Sequence, residues 1–255
     1  MNRYAVGMLD WTGLWWDFTQ DWAAGIKAGG IDDLVGSTVD VTAAPLGAPG
    51  QMVLSQQGDV ATGSVVFHCR GDGHRDAGQV AADVRRAFSP LVGRRSMLRV
   101  ESPMGAVDGW VRRNGRMPAP SQDPSWDEMV LDVQVPLVLD SGVWLAPVIV
   151  DDGSVVVANS GDVPVWVSIR WEGYGGLVTL PSGATFMLPP VAEPRVLHLR
   201  KTPTVVDEAG VRDEVLWRQL RPVMSEMVPV GEVREFTVPF GARVEYRLGV
   251  LDPWQ

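Results

Sequence analysis

Residues 154–171 read SVVVANSGDVPVWVSIRW, and this stretch decides the fold class. Val163, Val165, Val167 and Ile169 recur at period two, which puts them on one face of a β-strand. Ser154–Ala158 is a β-branched run just before them. Asn159, Ser160, Gly161 and Asp162 lie between, residues that tolerate positive φ or bond their own backbone, as a tight reversal requires. The stretch predicts strand, turn and strand in an antiparallel β protein.

The same signals continue outward. Short strands are expected near 176–180, 184–188, 195–200, 204–207, 233–239 and 242–250, with one helix near 211–220. Many short strands separated by turn residues read as a sandwich. In the first half, strands are expected at 37–43, 51–55, 64–70, 96–101 and 106–113. Val65, Phe67 and Cys69 share one face of their strand, and Val66, His68 and Arg70 the other. Val80, Val84 and Phe88 recur at i, i+4, i+8 and predict a helix over 76–88 whose apolar stripe packs on a sheet and which Ser89-Pro90 ends. Met117 to Pro124 is proline-rich and reads as a long loop or arm. Leu131 to Leu139 alternates as a half-buried strand, and its internal Pro136 suggests an edge or a bulge. Pro147 and Asp151-Asp152-Gly153 mark a boundary, so two domains are expected, 1–148 and 149–255.

The 255-residue chain carries a net charge of −9, and neither half is net basic, which argues against attraction to nucleic acid. Cys69 is the only cysteine, so neither an internal disulfide nor a Cys-rich metal cage can form, in keeping with assembly in a reducing cytoplasm. The first ten residues lack the features of a secretory signal, and no apolar run approaches the ~20 residues of a membrane span; the expectation is a soluble, unprocessed chain. One local excess of positive charge exists. Arg85, Arg86, Arg94, Arg95, Arg99, Arg112, Arg113 and Arg116 are accompanied within their stretch only by Glu101 and Asp108. Such runs usually form solvated faces; the alternative is a patch that meets an acidic partner.

Catalytic and ligand-binding patterns are weak. His68 and Cys69 are neighbours on a strand and point apart, so with His74 they do not make a metal site. Gly71, Gly73 and Gly78 lack the spacing of a dinucleotide turn. No serine has glycine at both −2 and +2, so there is no nucleophile elbow. Asp32-Asp33 and Asp151-Asp152 read as turn acids rather than a glycosidase pair. His68 and His198 have no acidic neighbour in their own strand's alternation, so neither reads as a general base. No catalytic, metal or cofactor site is expected, and a cell-wall hydrolase is the weakest of the functional readings. Aromatic side chains are the better lead. Trp11, Trp15, Trp16 and Trp22 crowd the start, and Trp166 falls opposite the inward face of its strand. Tryptophan favours cores and interfaces alike.

The order of elements resembles the distal tail proteins of long non-contractile-tailed phages, which are minor tail proteins in actinobacterial phages. The resemblance is carried by the Val65–Cys69 strand leading to the Asp76–Phe88 helix, the Leu131–Leu139 strand leading to the boundary, the 155–167 strand-turn-strand, and the ending Val244-Glu245-Tyr246-Arg247-Leu248 through Asp252-Pro253-Trp254. It implies a mainly β protein of two β-sandwich-like domains, a ring-forming one with a packed helix and an outward-facing galectin-like one. It also implies a non-enzymatic virion protein, assembled in the host cytoplasm, whose ring, usually a hexamer, joins the tail tube to tail-tip proteins. Trp11, Trp15, Trp16, Trp22, Arg94, Arg95, Pro118, Pro120 and Trp166 are the interface candidates. The alternative is a carbohydrate-binding sandwich that contacts the host surface, with Trp166 as its stacking residue.

Overall fold

Period-two burial builds most of this molecule. The computed structural model describes residues 4–21, 23–44, 50–120 and 131–255. Its first unit is Met1–Leu145 with Val250–Gln255, and its second is Ala146–Gly249. The last six residues, placed by the sequence in the second domain, return to the first unit. There Tyr4 Oη donates to the Trp254 carbonyl at 2.8 Å, and Gly36 N to the Leu251 carbonyl at 2.8 Å.

The first unit runs β1 (Ala5–Leu9), β2 (Trp15–Asp17), β3 (Ala24–Asp33), β4 (Thr38–Ala43), β5 (Met52–Gly58), β6 (Ala61–Cys69), α1 (Ala77–Ala87), β7 (Ser96–Ser102), β8 (Gly105–Arg113), β9 (Leu131–Leu139) and β10 (Trp144–Leu145). Its principal sheet is antiparallel in the order β2-β1-β7-β8-β9-β6-β3, with β10 on β8. Val65, Phe67 and Cys69 point into the core, and so do Leu131, Val133, Val135, Leu137 and Leu139. α1 lays Val80, Ala81 and Val84 over β6 and β9. A capping box starts it: Asp76 Oδ1 accepts from Gln79 N at 2.6 Å, while Gln79 Oε1 accepts from Asp76 N at 3.0 Å. Phe88, just past its end, continues an aromatic line through Phe67 and Phe18 to Trp16, with centroids 5.4, 4.5 and 6.0 Å apart.

Pro136 is not on an edge. β9 lies between β8 and β6, but β8 pairs with it only as far as Arg113 opposite Leu137. The Pro136 carbonyl accepts from Asn114 N at 2.8 Å on that side. Its missing N–H therefore falls just past the end of the ladder, where a proline costs nothing.

The second unit contains β11 (Ile149–Asp152), β12 (Ser154–Ala158), β13 (Val165–Trp166), β14 (Ser168–Gly173), β15 (Gly176–Thr179), β16 (Thr185–Leu188), β17 (Val191–His198), β18 (Thr204–Val206), α2 (Glu214–Leu220), β19 (Met227–Val228), β20 (Val233–Thr237) and β21 (Ala242–Tyr246). A five-stranded sheet, β11-β21-β14-β17-β18, and a four-stranded one, β12-β20-β15-β16, share a core that includes Val155, Val157, Ile169, Trp171, Leu197, Phe236 and Val244. This is a sandwich. The alternation read in 163–171 is present, since Val165, Val167, Ile169 and Trp171 are buried and Val163 partly so. The turn before it does a different job from the one expected. β12 pairs with β20, and β14 with β17 and β21, so Asn159–Asp162 carries the chain from one sheet to the other instead of closing a hairpin. Asn159 is buried, donates through Nδ2 to the Val163 and Val228 carbonyls at 2.9 and 3.0 Å, and accepts from Gly161 N at 3.0 Å. A Cβ on Gly161 would collide with the Gly249 carbonyl oxygen, so only glycine fits there.

Candidate assembly surfaces

The tryptophan-rich start is sorted by one carboxylate. Asp10, 7% exposed, ends β1, and its Oδ1 accepts from Thr12 N at 2.8 Å, Thr12 Oγ1 at 2.6 Å and Leu14 N at 3.0 Å. Its Oδ2 accepts from Trp16 Nε1 at 3.1 Å. Burial pushes the Asp10 carboxyl up, but these hydrogen bonds outweigh it and hold the group below its ordinary value. The turn so fixed sends Trp16 inward and Trp15 outward. Trp16 is a core residue and is withdrawn from the interface set. Asp10→Ala leaves two backbone N–H groups and the buried indole without their acceptor. It is expected to cost about 2–3 kcal/mol, and Asp10→Asn clearly less, as read from urea unfolding midpoints.

Trp15 remains 47% exposed, its ring packed so close to Gly7 that no side chain fits there. Strand register extends it into a row. Trp15 faces Leu9, Leu9 faces Met97, and Met97 faces Trp110, which is 46% exposed. This apolar row crosses four strands on the sheet's outer face, and Trp110 was not among the expected interface residues. Trp11, 38% exposed, is pinned to the body: its Nε1 donates to the Arg86 carbonyl at 3.1 Å, and Arg94 lies 4.6 Å over its ring. Trp22 lies outside the described residues.

The arginine stretch is not a bare positive patch. Arg99 makes two hydrogen bonds to Asp108, at 2.8 and 3.2 Å. Arg112 and Arg95 converge on Asp140 at 2.7 and 3.0 Å, and Arg86 meets Asp83 at 2.9 Å. The hydrogen bond from Arg112 holds the Asp140 carboxyl below its ordinary value. Counting acids inside the stretch misses Asp83 and Asp140, which helix spacing and sheet pairing bring in from outside it. Pro118 and Pro120 are exposed, and the Pro118 carbonyl accepts from Arg85 Nη1 at 2.8 Å; the rest of the proline stretch, from residue 121, is outside the described residues.

β4 and β5 form a two-stranded hairpin that pairs with no other strand among the described residues. Register puts Val39, Val41 and the Ala43–Met52 pair on one face, and on the other Gln56 Nε2 donates to Asp40 Oδ1 at 2.9 Å. Val39, Val41, Met52, Val53 and Leu54 are 38–58% exposed. None belongs to a core cluster. Val53, opposite Thr42, shares the Asp40 face, so exposed apolar side chains lie on both sides of the hairpin. An isolated hairpin is marginally stable in water, and this one asks for a partner.

No family model and no curated protein matches the sequence. Solved structures do. The SPP1 Dit protein, a hub of the adsorption apparatus in phages infecting Gram-positive hosts, matches over 96% of this chain and 98% of its own at 11% identity, with a TM-score of 0.59. The phage P2 baseplate in its activated conformation matches with the same coverages at 8% identity, with TM-scores of 0.56 for the calcium form and 0.54 for the strontium form. The chain has the fold of a phage distal tail protein.

Within this distal tail fold the chemistry-bearing residues are dispersed. Among the described residues no three His, Cys, Asp or Glu side chains group as metal ligands, and no helix is long and apolar enough to cross a membrane. Cys69 is fully buried, and burial pushes its thiol up to about 12. His68 has no acid in its own strand's alternation but gains one across the sheet: Asp132 stands opposite it on β9, with Oδ1 3.3 Å from Nδ1, and Lys27 Nζ holds the other carboxylate oxygen at 2.6 Å. This is a surface ion cluster with no nucleophile in it. His198 Nδ1 lies 2.8 Å from Ser168 Oγ, and burial, then Arg200, lowers its pKa. Trp166 is half-buried in β13 opposite Met227.

Proposed function

We propose that the chain is a structural subunit of a phage tail tip, non-enzymatic, forming a closed homo-oligomeric ring, a hexamer, between the tail tube and the tail-tip proteins. The observation that carries this reading is the β4–β5 hairpin, which pairs with no other strand among the described residues. A cyclic ring joins one patch to a different patch on the next copy. The first unit offers two such patches, the hairpin's Val39/Val41/Met52 face and the Trp15–Leu9–Met97–Trp110 row. The hairpin of one copy lies on the outer face of its neighbour, and the second unit faces outward. The likeness to the SPP1 hub and P2 baseplate structures supports the reading. Light scattering of the purified chain tests it: a mass near six times that of the chain supports the ring, and a monomer at high micromolar concentration refutes it.

A further inference from the structure

Two turns at one end of the second unit carry the most exposed aromatic side chains among the described residues. Tyr174 is 96% exposed and Phe240 104%. Tyr174 lies between β14 and β15, in a turn where Gly173, Gly175 and Gly176 all hold positive φ. Phe240 follows Pro239 in a turn closed by Ala242 N donating to the Pro239 carbonyl at 3.0 Å. The turns are neighbours: a Cβ on Gly176 would come within 2.7 Å of Pro239 Cβ, and one on Gly241 within 3.5 Å of the Glu172 carbonyl oxygen. Neither ring belongs to the core.

A cleft of about 250 Å³ opens beside them, lined by Arg170, Trp171, Glu172, Pro194, Gly241 and Arg243. Arg170 and Arg243 stand opposite each other in the β14–β21 register, and like charges so placed repel. Glu208 pairs with Arg170, whereas Arg243 has no ion pair among the described residues. Asp152 is the cross-strand neighbour of Arg243 on its other side. A bare anion would gain from Arg243 and lose to Glu172 and Asp152. A saccharide ring bearing an acid group suits every element: its C–H face stacks on an aromatic ring, its acid group pairs with the Arg243 guanidinium, and its hydroxyls donate to Glu172. We infer that this end of the second unit binds acidic saccharides, rings or polyols bearing a carboxylate or a phosphate. The inference rests on the second unit alone and not on the ring.

The test is titration calorimetry on the full chain with a galacturonic acid tetramer, a glycerol phosphate oligomer and a neutral galactose tetramer. Binding of either acidic oligomer supports the site, and which one binds tells carboxylate from phosphate. Arg243→Ala, Tyr174→Ala and Phe240→Ala are each expected to weaken it at least about tenfold, and the neutral oligomer to bind at least about tenfold more weakly. All three residues are exposed, and light scattering on the same samples reports assembly separately. Absence of acidic-oligomer binding at millimolar concentration, binding indifferent to the three substitutions, or equal binding of the neutral oligomer overturns the inference. So does loss of only a tail protein's binding in the Tyr174 and Phe240 variants.

Discussion

Val39→Asp with Val41→Asp is expected to abolish assembly and leave a folded monomer. Both valines lie on one face of the β4–β5 hairpin, 52% and 38% exposed, outside either core. Circular dichroism and urea midpoints should therefore change little. In the proposed ring that face meets the next copy, and burying a valine side chain is worth about 1.5–3 kcal/mol. Replacing two with carboxylates removes that gain and adds the cost of desolvating charge. The dissociation constant of each subunit contact should rise by a factor of about a hundred or more, equivalent to about 2.8 kcal/mol. Sedimentation velocity reads the change directly. A double variant that still sediments as the parent oligomer excludes the hairpin from the contact.

Trp144→Ala is expected to have the largest effect on stability. Trp144 is fully buried, and its Nε1 donates to the Leu34 carbonyl at 2.9 Å. The ring lies so close over Gly109 that a Cβ there would come within 2.7 Å of it. Leu34 needs this support, because it and Asp33 hold φ of 68° and 62°, left-handed values that cost a side-chain-bearing residue about 1–2 kcal/mol each. Truncation to alanine opens a cavity worth about 3–5 kcal/mol and strands a buried carbonyl worth about 1–3 kcal/mol more. The sum rivals the whole stability of an ordinary domain. Trp144→Phe restores most of the volume but not the hydrogen bond, and should cost about 1–3 kcal/mol. Urea unfolding followed by far-ultraviolet circular dichroism separates the two; equal midpoints for parent and alanine variant would contradict this account. Leu34 also leads into the hairpin, so the alanine variant should lose assembly with stability.

Which features were legible follows from their range along the chain. Strands with clean alternation, such as β6 and β9, and the capped helix α1 are local signals, and they appear where the sequence puts them. β1, β2 and β3 were not read. Glycine breaks up β3, whose register slips between Ile26 and Ile31, and the tryptophans hide alternation because both faces of β2 carry one. Charge partners were misjudged for a non-local reason. Asp132 meets His68, and Asp140 meets Arg95 and Arg112, only through strand pairing, which no count along one segment registers. Val39 and Val41 announce a strand but not that, among the described residues, it pairs only with β5. The turn at Asn159 was readable in chemistry and not in destination, because a reversal and a crossing between sheets use the same residues.

Negative-stain imaging of the purified full chain is the most direct measurement of the central claim. Closed rings with a central opening, lost in the Val39/Val41 double variant, are the predicted result. A field of single compact particles at assembly concentration, unchanged by that variant, would contradict it.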